Sequence, residues 1–164
     1  MSEKPELADH YSAQYGQFGA QVHAEVRRAA FGKDIGQNSW LTAAELERFS
    51  SSLELGSSSR LLDVASGSGG PALHLARATG CDVTGVELYD EAVETANQLA
   101  AETGLEARAR FVRADASRPL PFGDDTFAAV LCVDAVNHLP GREAVFADWA
   151  RLLRPGDDFS SRIP

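Results

Sequence analysis

Positive charge and cysteine are both scarce in this chain. Its 24 Asp and Glu outnumber its 15 Lys and Arg, giving a formal net charge of −9 and a pI near 4.8. That balance argues against affinity built on phosphate contacts, which need clustered basic side chains. The basic groups that do lie close together, Arg27-Arg28 and Arg108, Arg110 and Arg113, read as solvated faces, and no nucleic-acid partner is expected. The two cysteines, Cys81 and Cys132, sit in or beside apolar strand-like runs without metal-ligand spacing. They read as buried reduced thiols, so neither a disulfide framework nor a metal site is expected. Long apolar runs are also missing. The N-terminal MSEKPELADHYSAQYG has no signal core, and no stretch approaches membrane-spanning length. The expectation is a cytoplasmic protein with no membrane partner.

The 164 residues are 44% hydrophobic, enough for a globular domain with a substantial core. Residues 1–58 read as an N-terminal helical cap segment. Within it, Val22, Val26 and Ala29 or Ala30 recur at helical spacing, FGKDIGQNSW is a loop, and Thr42-Ala-Ala-Glu45 is a capping box opening a helix. SSSLELGSSS reads as a flexible connector. Residues 59–164 then alternate strand and helix. Strands are expected at Leu61–Val64, Val83–Glu87, Ala109–Arg113 and Phe127–Val133, with helices after Pro71, from Asp90 to Thr103 and from Gly141 to Leu153. Such alternation implies an α/β fold, a doubly wound, mostly parallel sheet with helices on both faces. Trp40 and Trp149 are expected to anchor helices to it, and His74 to be structural. After Arg154-Pro155-Gly156 another apolar strand is due, but DDFSSRIP follows. A domain incomplete after its fourth strand and helix is therefore expected, with an uncovered sheet edge that would favour pairing into a dimer.

The stretch LLDVASGSGGPALHLA, residues 61–76, joins an apolar strand to a glycine turn and a helix. Gly67-x-Gly69-x-x-Ala72 satisfies a dinucleotide-binding fingerprint. Asp63, however, would repel a diphosphate, and no Lys or Arg lies between residues 61 and 76 to offset it. Ligands of open α/β sheets bind beyond the carboxyl ends of the strands, and those ends carry four acids: Asp63, Glu87, Asp115 and Asp134. Glu87 follows Gly67 by 20 residues, the spacing at which an acid receives ribose hydroxyls. A ribose-bearing cationic ligand fits this set better than NAD or FAD. S-Adenosylmethionine (SAM), with an ammonium, a sulfonium and one carboxylate, is such a ligand.

Taken together, these motifs make the segment from about Arg60 to Gly156 resemble a class I SAM-dependent methyltransferase. LLDVASGSGG resembles that family's nucleotide loop, with Ala65 where the first glycine is commonest. GVELYDEAVETAN resembles its second motif and FVRADASRPLPFGDDTFAAVLCVDAVNHL its third and fourth, while RLLRPG resembles the segment introducing the fifth strand. The resemblance implies a Rossmann-like fold, SAM as cofactor with S-adenosylhomocysteine (SAH) as product, and a small-molecule acceptor. It places Glu87 on the ribose and Asp115, with Ala116 beside it, on the adenine amino group. It also implies cofactor contacts from Asp63, Ala65, Gly67, Ser68, Leu88 and Val133. Asp134-x-x-x-His138 resembles small-molecule N-methyltransferases of the phosphoethanolamine and sarcosine/dimethylglycine types. On a helical turn these two side chains would share one face, and histidine is the side chain most easily tuned to accept a proton near neutral pH. In the phosphoethanolamine enzymes an N-terminal tyrosine pairs with that histidine; Tyr11 and Tyr15 both qualify. GQNSW resembles a segment contacting the methionine end of SAM, which nominates Gln37 and Ser39. Three alternatives stay open: His138 as a simple junction residue, the chain as an NAD-dependent oxidoreductase, and the chain as a non-catalytic SAM-binding module.

Overall fold

The apolar run after Arg60 becomes an interior strand of a parallel sheet. A computed structural model describes residues 21–37 and 39–155; Tyr11, Tyr15 and the polar stretch from Gly156 onward lie outside the described residues. In chain order these residues form α1 (Gln21–Phe31), α2 (Ala43–Ser50), a 3-10 turn (Ser51–Leu53), β1 (Arg60–Val64) and α3 (Gly70–Thr79). They continue with β2 (Asp82–Glu87), α4 (Asp90–Glu102), β3 (Ala109–Arg113), β4 (Ala129–Leu131), a second 3-10 turn (Val136–His138) and α5 (Arg142–Leu152). The sheet order is β3-β2-β1-β4, parallel throughout. This is a Rossmann-like α/β architecture, and the order reverses between β1 and β4, the switch point at which such sheets bind ligands.

Period-two alternation along β1 divides the core between two faces. Leu61 packs with Leu46, Leu75, Val83, Phe111 and Leu131 on one side, while Leu62 and Val64 pack with Val86, Phe127, Val130, Trp149 and Leu152 on the other. Both faces are covered, which explains the nearly unbroken apolar runs of the central strands. Phe111 in β3 fixes the geometry of the neighbouring strand. Its ring lies where a Cβ on Gly85 would fall, so β2 carries a glycine there. β3 is an edge strand, and Asn97 of α4 closes part of that edge. Its side-chain amide donates to Phe111 O at 2.8 Å and accepts from Phe111 N at 3.0 Å, in the manner of a neighbouring strand.

The expected helix signals operate as read. Thr42 Oγ1 accepts from Glu45 N while Glu45 Oε2 accepts from Thr42 N, completing the capping box. α3 has proline in its first turn and stops at Gly80. His74 meets Glu47 at 2.9 Å, tying α3 to α2.

Four expectations change. SSSLELGSSS is no loose connector: it forms a 3-10 turn whose Leu53 is buried in the core, with Leu55 packed against it. Trp149 does anchor α5, buried in the core with Leu62, Val64 and Val130, whereas Trp40 is 84% exposed and meets only the edge of Phe31 among the described aromatic rings. β4 (Ala129–Leu131) is shorter than Phe127–Val133, and Phe127 turns its backbone to the chain after α5. Phe127 N donates to Leu152 O, and Arg154 N donates to Phe127 O. Pairing of the next segment beside β4 therefore begins at the isolated parallel bridge Phe127–Leu153, inside a stretch read as helix and stop signal.

Candidate functional site

Between β1 and α3 the chain makes a tight turn over the carboxyl ends of the strands. Ala65 has φ +55° and Gly67 φ +53°, left-handed values that cost a residue with a Cβ roughly 1–2 kcal/mol. Ser66 N donates to Val86 O, pinning the turn to β2. Gly67 N donates to Glu87 Oε2 at 2.9 Å. The other oxygen of Glu87 receives Leu88 N at 2.7 Å and Tyr89 N at 3.3 Å. The 20-residue spacing between Gly67 and Glu87 thus reports a direct contact: the acid braces the glycine turn.

Asp63 is different. It is only 3% exposed, pairs in register with Gly85 and Leu131, and receives no hydrogen bond from any described residue. Burial, reinforced by the negative charge of Glu87, pushes its carboxyl up to about 8. A buried acid without a donor beside a second acid is a standing demand for a cation or a donor. The residues present therefore fit a cofactor with an ammonium and vicinal hydroxyls and do not fit a diphosphate. Next to this pair, Cys132 is pushed up to about 12 by burial and by the charges of Asp63 and Asp134, so its thiol stays protonated and is no nucleophile.

The remaining strand-end residues are placed less uniformly. Asp115 lies partly exposed after β3. Its Oδ1 accepts from Ser117 Oγ at 2.6 Å and Ser117 N at 3.0 Å, and its Oδ2 faces Arg118 at 3.3 Å. The Ser117 hydroxyl, aided by the Ser117 backbone and Arg118, holds this carboxyl below its ordinary range despite partial burial. Ala116 is buried, Val133 packs against the core, and Leu88 is an exposed apolar side chain beyond β2.

Asp134 and His138 do not share a helical face. Asp134 has φ +53° and precedes the 3-10 turn that contains His138, so the i, i+4 geometry of a continuous helix is absent. The carboxylate of Asp134 instead accepts from Trp40 N at 2.9 Å. His138 is exposed at the end of its turn.

The loop before α2 packs against the glycine turn and the start of α3. Ser68 Oγ donates to Gly36 O at 3.2 Å, and a Cβ on Gly70 would collide with the carbonyls of Ile35 and Gly36. Gln37 is almost wholly buried, but its amide stays within the loop, accepting from Ile35 N and donating to Lys33 O. Ser39 Oγ is buried without a partner among the described residues, as is Ser66 Oγ beneath the turn. Gly70, the last glycine of GSGG, is where this packing needs the absence of a side chain.

A Rossmann-like sheet with a donor-less acid near the end of β1, a glycine turn after it and an acid at the end of β2 that braces this turn defines a nucleoside-cofactor binding domain. The chain belongs to the methyltransferase domain family, whose model matches residues 61–156. It is similar to the methyltransferase GfsG of Streptomyces halstedii, 31% identical over 161 residues, covering 92% of this chain and 57% of that protein. It is also similar to the sterol 24-C-methyltransferase of Schizosaccharomyces pombe, 35% identical over 117 residues, 65% of this chain and 31% of that one. Among solved structures, a SAM-dependent methyltransferase from Geobacter sulfurreducens in complex with S-adenosyl-L-homocysteine superposes with a TM-score of 0.68 at 25% identity, covering 95% of this chain and 54% of that one. The chain thus spans between about a third and three-fifths of the length of these relatives. None of them supports the alternative of an NAD-dependent oxidoreductase. Among the described residues no helix is long and apolar enough to cross a membrane.

Proposed function

We propose that this chain carries the SAM-binding part of a methyltransferase acting on a small-molecule acceptor, with SAH as product. The observation that carries the reading is the buried, donor-less carboxyl of Asp63 beside Glu87, which suits the ammonium and ribose of SAM and opposes a diphosphate. Bound SAM supplies an electrophilic methyl group on a sulfonium. The chain's own residues then bind and orient: Asp63 meets the ammonium, Glu87 the ribose hydroxyls while keeping the Gly67 turn in place, and Asp115 with Ala116 the adenine edge. Leu88 and Val133 offer apolar surface to the adenine, and Ser68 and Ser39 lie towards the methionine end. Alignment and exclusion of water are the protein's main contribution to such a displacement.

His138 is the proton acceptor in this reading, exposed beside the β4 end where an acceptor's leaving proton has to go. Tyr11 and Tyr15 remain candidates to pair with it. An amine acceptor follows from the likeness of Asp134-x-x-x-His138 to N-methyltransferases, while the relative named for sterol C24 methylation keeps a carbon acceptor in the test. Transfer of labelled methyl from SAM to a panel of amines, alcohols and sterols, assayed on a chain extended to its relatives' length, tests the proposal. Labelled product that falls sharply in His138→Ala with SAH affinity unchanged supports it. Labelling of none of the panel, in a chain that binds SAH, contradicts the transferase reading.

A further inference from the structure

Phe111 belongs to the edge strand β3, yet its ring reaches the glycine turn after β1. The strand register aligns Phe111, Gly85, Asp63 and Leu131 in one rung across the sheet, so their side chains, and the position that Gly85 leaves bare, share one face. The Phe111 ring lies across that bare position. The same edge of the ring also meets the turn: a Cβ on Gly69 would fall 2.6 Å from Phe111 Cζ and 2.9 Å from Phe111 Cε1. One ring therefore accounts for glycine at two positions, one in β2 and one in the turn. Ser66 Oγ closes the same corner, 2.9 Å from where a Gly85 Cβ would fall.

The turn is thus held on separate sides by different elements. Val86 O receives Ser66 N and Glu87 Oε2 receives Gly67 N. At Gly69, which caps α3 with φ +78°, the supports are the Phe111 ring and Ala96 of α4, whose Cβ lies 3.0 Å from the same bare position. The next residue of α4 fixes the ring. Asn97 bonds both Phe111 N and Phe111 O, and its amide nitrogen also reaches Val93 O at 3.0 Å, so the backbone carrying the ring cannot slide along the helix. Glu87 has further supports of its own at Leu88 N and Tyr89 N. A loosened ring would therefore disturb Ser66–Gly69 while leaving the ribose acid in place.

We propose that Phe111 is a positioning residue for the methyl donor: its ring, fixed by Asn97, sets the place of the Ser66–Gly69 turn and thereby the hold on the methionine end of the cofactor. The proposal rests on the SAM-binding reading for its ligand, whereas support of the turn by the ring does not.

The test combines amide hydrogen exchange on the ligand-free chain with calorimetric titration of two ligands, SAH and 5′-methylthioadenosine, which keeps the adenosine and thioether but has no amino-acid end. Phe111→Leu keeps an apolar side chain and removes the ring edge. Asn97→Ala keeps the ring and frees the backbone that carries it. Val112→Ala, on the same strand but packed against the opposite core, is the control for lost packing alone. In the first two variants, exchange at residues 66–70 is expected to quicken more than exchange in β1, which reports global opening. SAH affinity should fall about tenfold, the scale of an impaired hydrogen bond to a charged group, while 5′-methylthioadenosine affinity stays within about twofold. Val112→Ala should lower stability and leave the ratio of the two affinities within about twofold of wild type. Exchange at 66–70 that merely follows β1 in both variants overturns the support of the turn. Equal losses of SAH and 5′-methylthioadenosine affinity, or no loss of either, overturn the positioning role and leave Phe111 a core residue. Should Phe111→Leu fail to fold, Asn97→Ala decides by the same readouts. A wild-type chain that binds neither ligand sinks the methyl-donor reading instead, and exchange still decides whether the ring supports the turn.

Discussion

Replacing Asp63 by asparagine separates the cost of its burial to the empty fold from the attraction for a cation that the proposed function gives it. In the folded chain its carboxyl is pushed up to about 8 by burial and by Glu87, from an ordinary value of 3.8. In the unfolded chain it titrates near that ordinary value. Between about pH 4 and 8 the native state thus keeps a proton that the unfolded state has lost. The stability this group contributes is complete below its unfolded value and is lost as pH rises through the folded one. At 1.36 kcal/mol per unit the total is on the order of 5 kcal/mol. Urea unfolding of the ligand-free wild type should show a falling stability over this window, and Asp63→Asn should lack that slope, since the introduced amide does not titrate. An ammonium in the site favours the charged form, so SAH binding near neutral pH should release up to about one proton, read by calorimetry in buffers of different ionisation enthalpy. The variant should release none and bind about tenfold or more weakly. Parallel stability curves for wild type and Asp63→Asn would refute the reasoning.

Three further substitutions test the frame around that acid. Glu87→Ala removes the acceptor of Gly67 N, Leu88 N and Tyr89 N, and SAH affinity should fall by about 1–3 kcal/mol; a titration giving wild-type affinity would displace the ribose from this acid. Gly85→Ala drives a methyl into the Phe111 ring and should cost about 1–3 kcal/mol in chemical denaturation, whereas a neutral result would mean that β3 yields freely. Ala65→Gly releases a left-handed alanine, gaining roughly 1–2 kcal/mol against about 0.4–1 kcal/mol of added unfolded-chain entropy. Its melting temperature should be equal to or slightly above wild type, and a drop of several degrees would show that the Ala65 methyl packs usefully.

Much of the strand–helix alternation was legible because burial on both faces leaves near-continuous apolar strands, and because Thr42, Pro71 and Gly80 act through local backbone chemistry that needs no tertiary context. The Glu87 spacing was legible for a related reason: one βαβ unit returns the chain to its starting edge after a fixed length. Contacts across long separations were not. Nothing in FGKDIGQNSW announces that its carbonyls rest on Gly70, or that Trp40 N reaches a carboxylate 94 residues away. The i, i+4 reading of Asp134 and His138 failed because it assumed a helix where Asp134 is left-handed and only a 3-10 turn follows. Leu53 and Leu55 were concealed by flanking serines whose hydroxyls bond back to carbonyls three residues earlier and so support a tight turn. The beginning of pairing at Leu153 was hidden by the Arg-Pro-Gly stop signal immediately behind it.

The central claim is that the strand-end acids hold a cationic nucleoside rather than a dinucleotide. Its most direct test is calorimetric titration of the chain at neutral pH with SAH and, separately, with NAD. The account predicts saturable one-to-one binding of SAH and no measurable heat from NAD. Binding of NAD with none of SAH would contradict it.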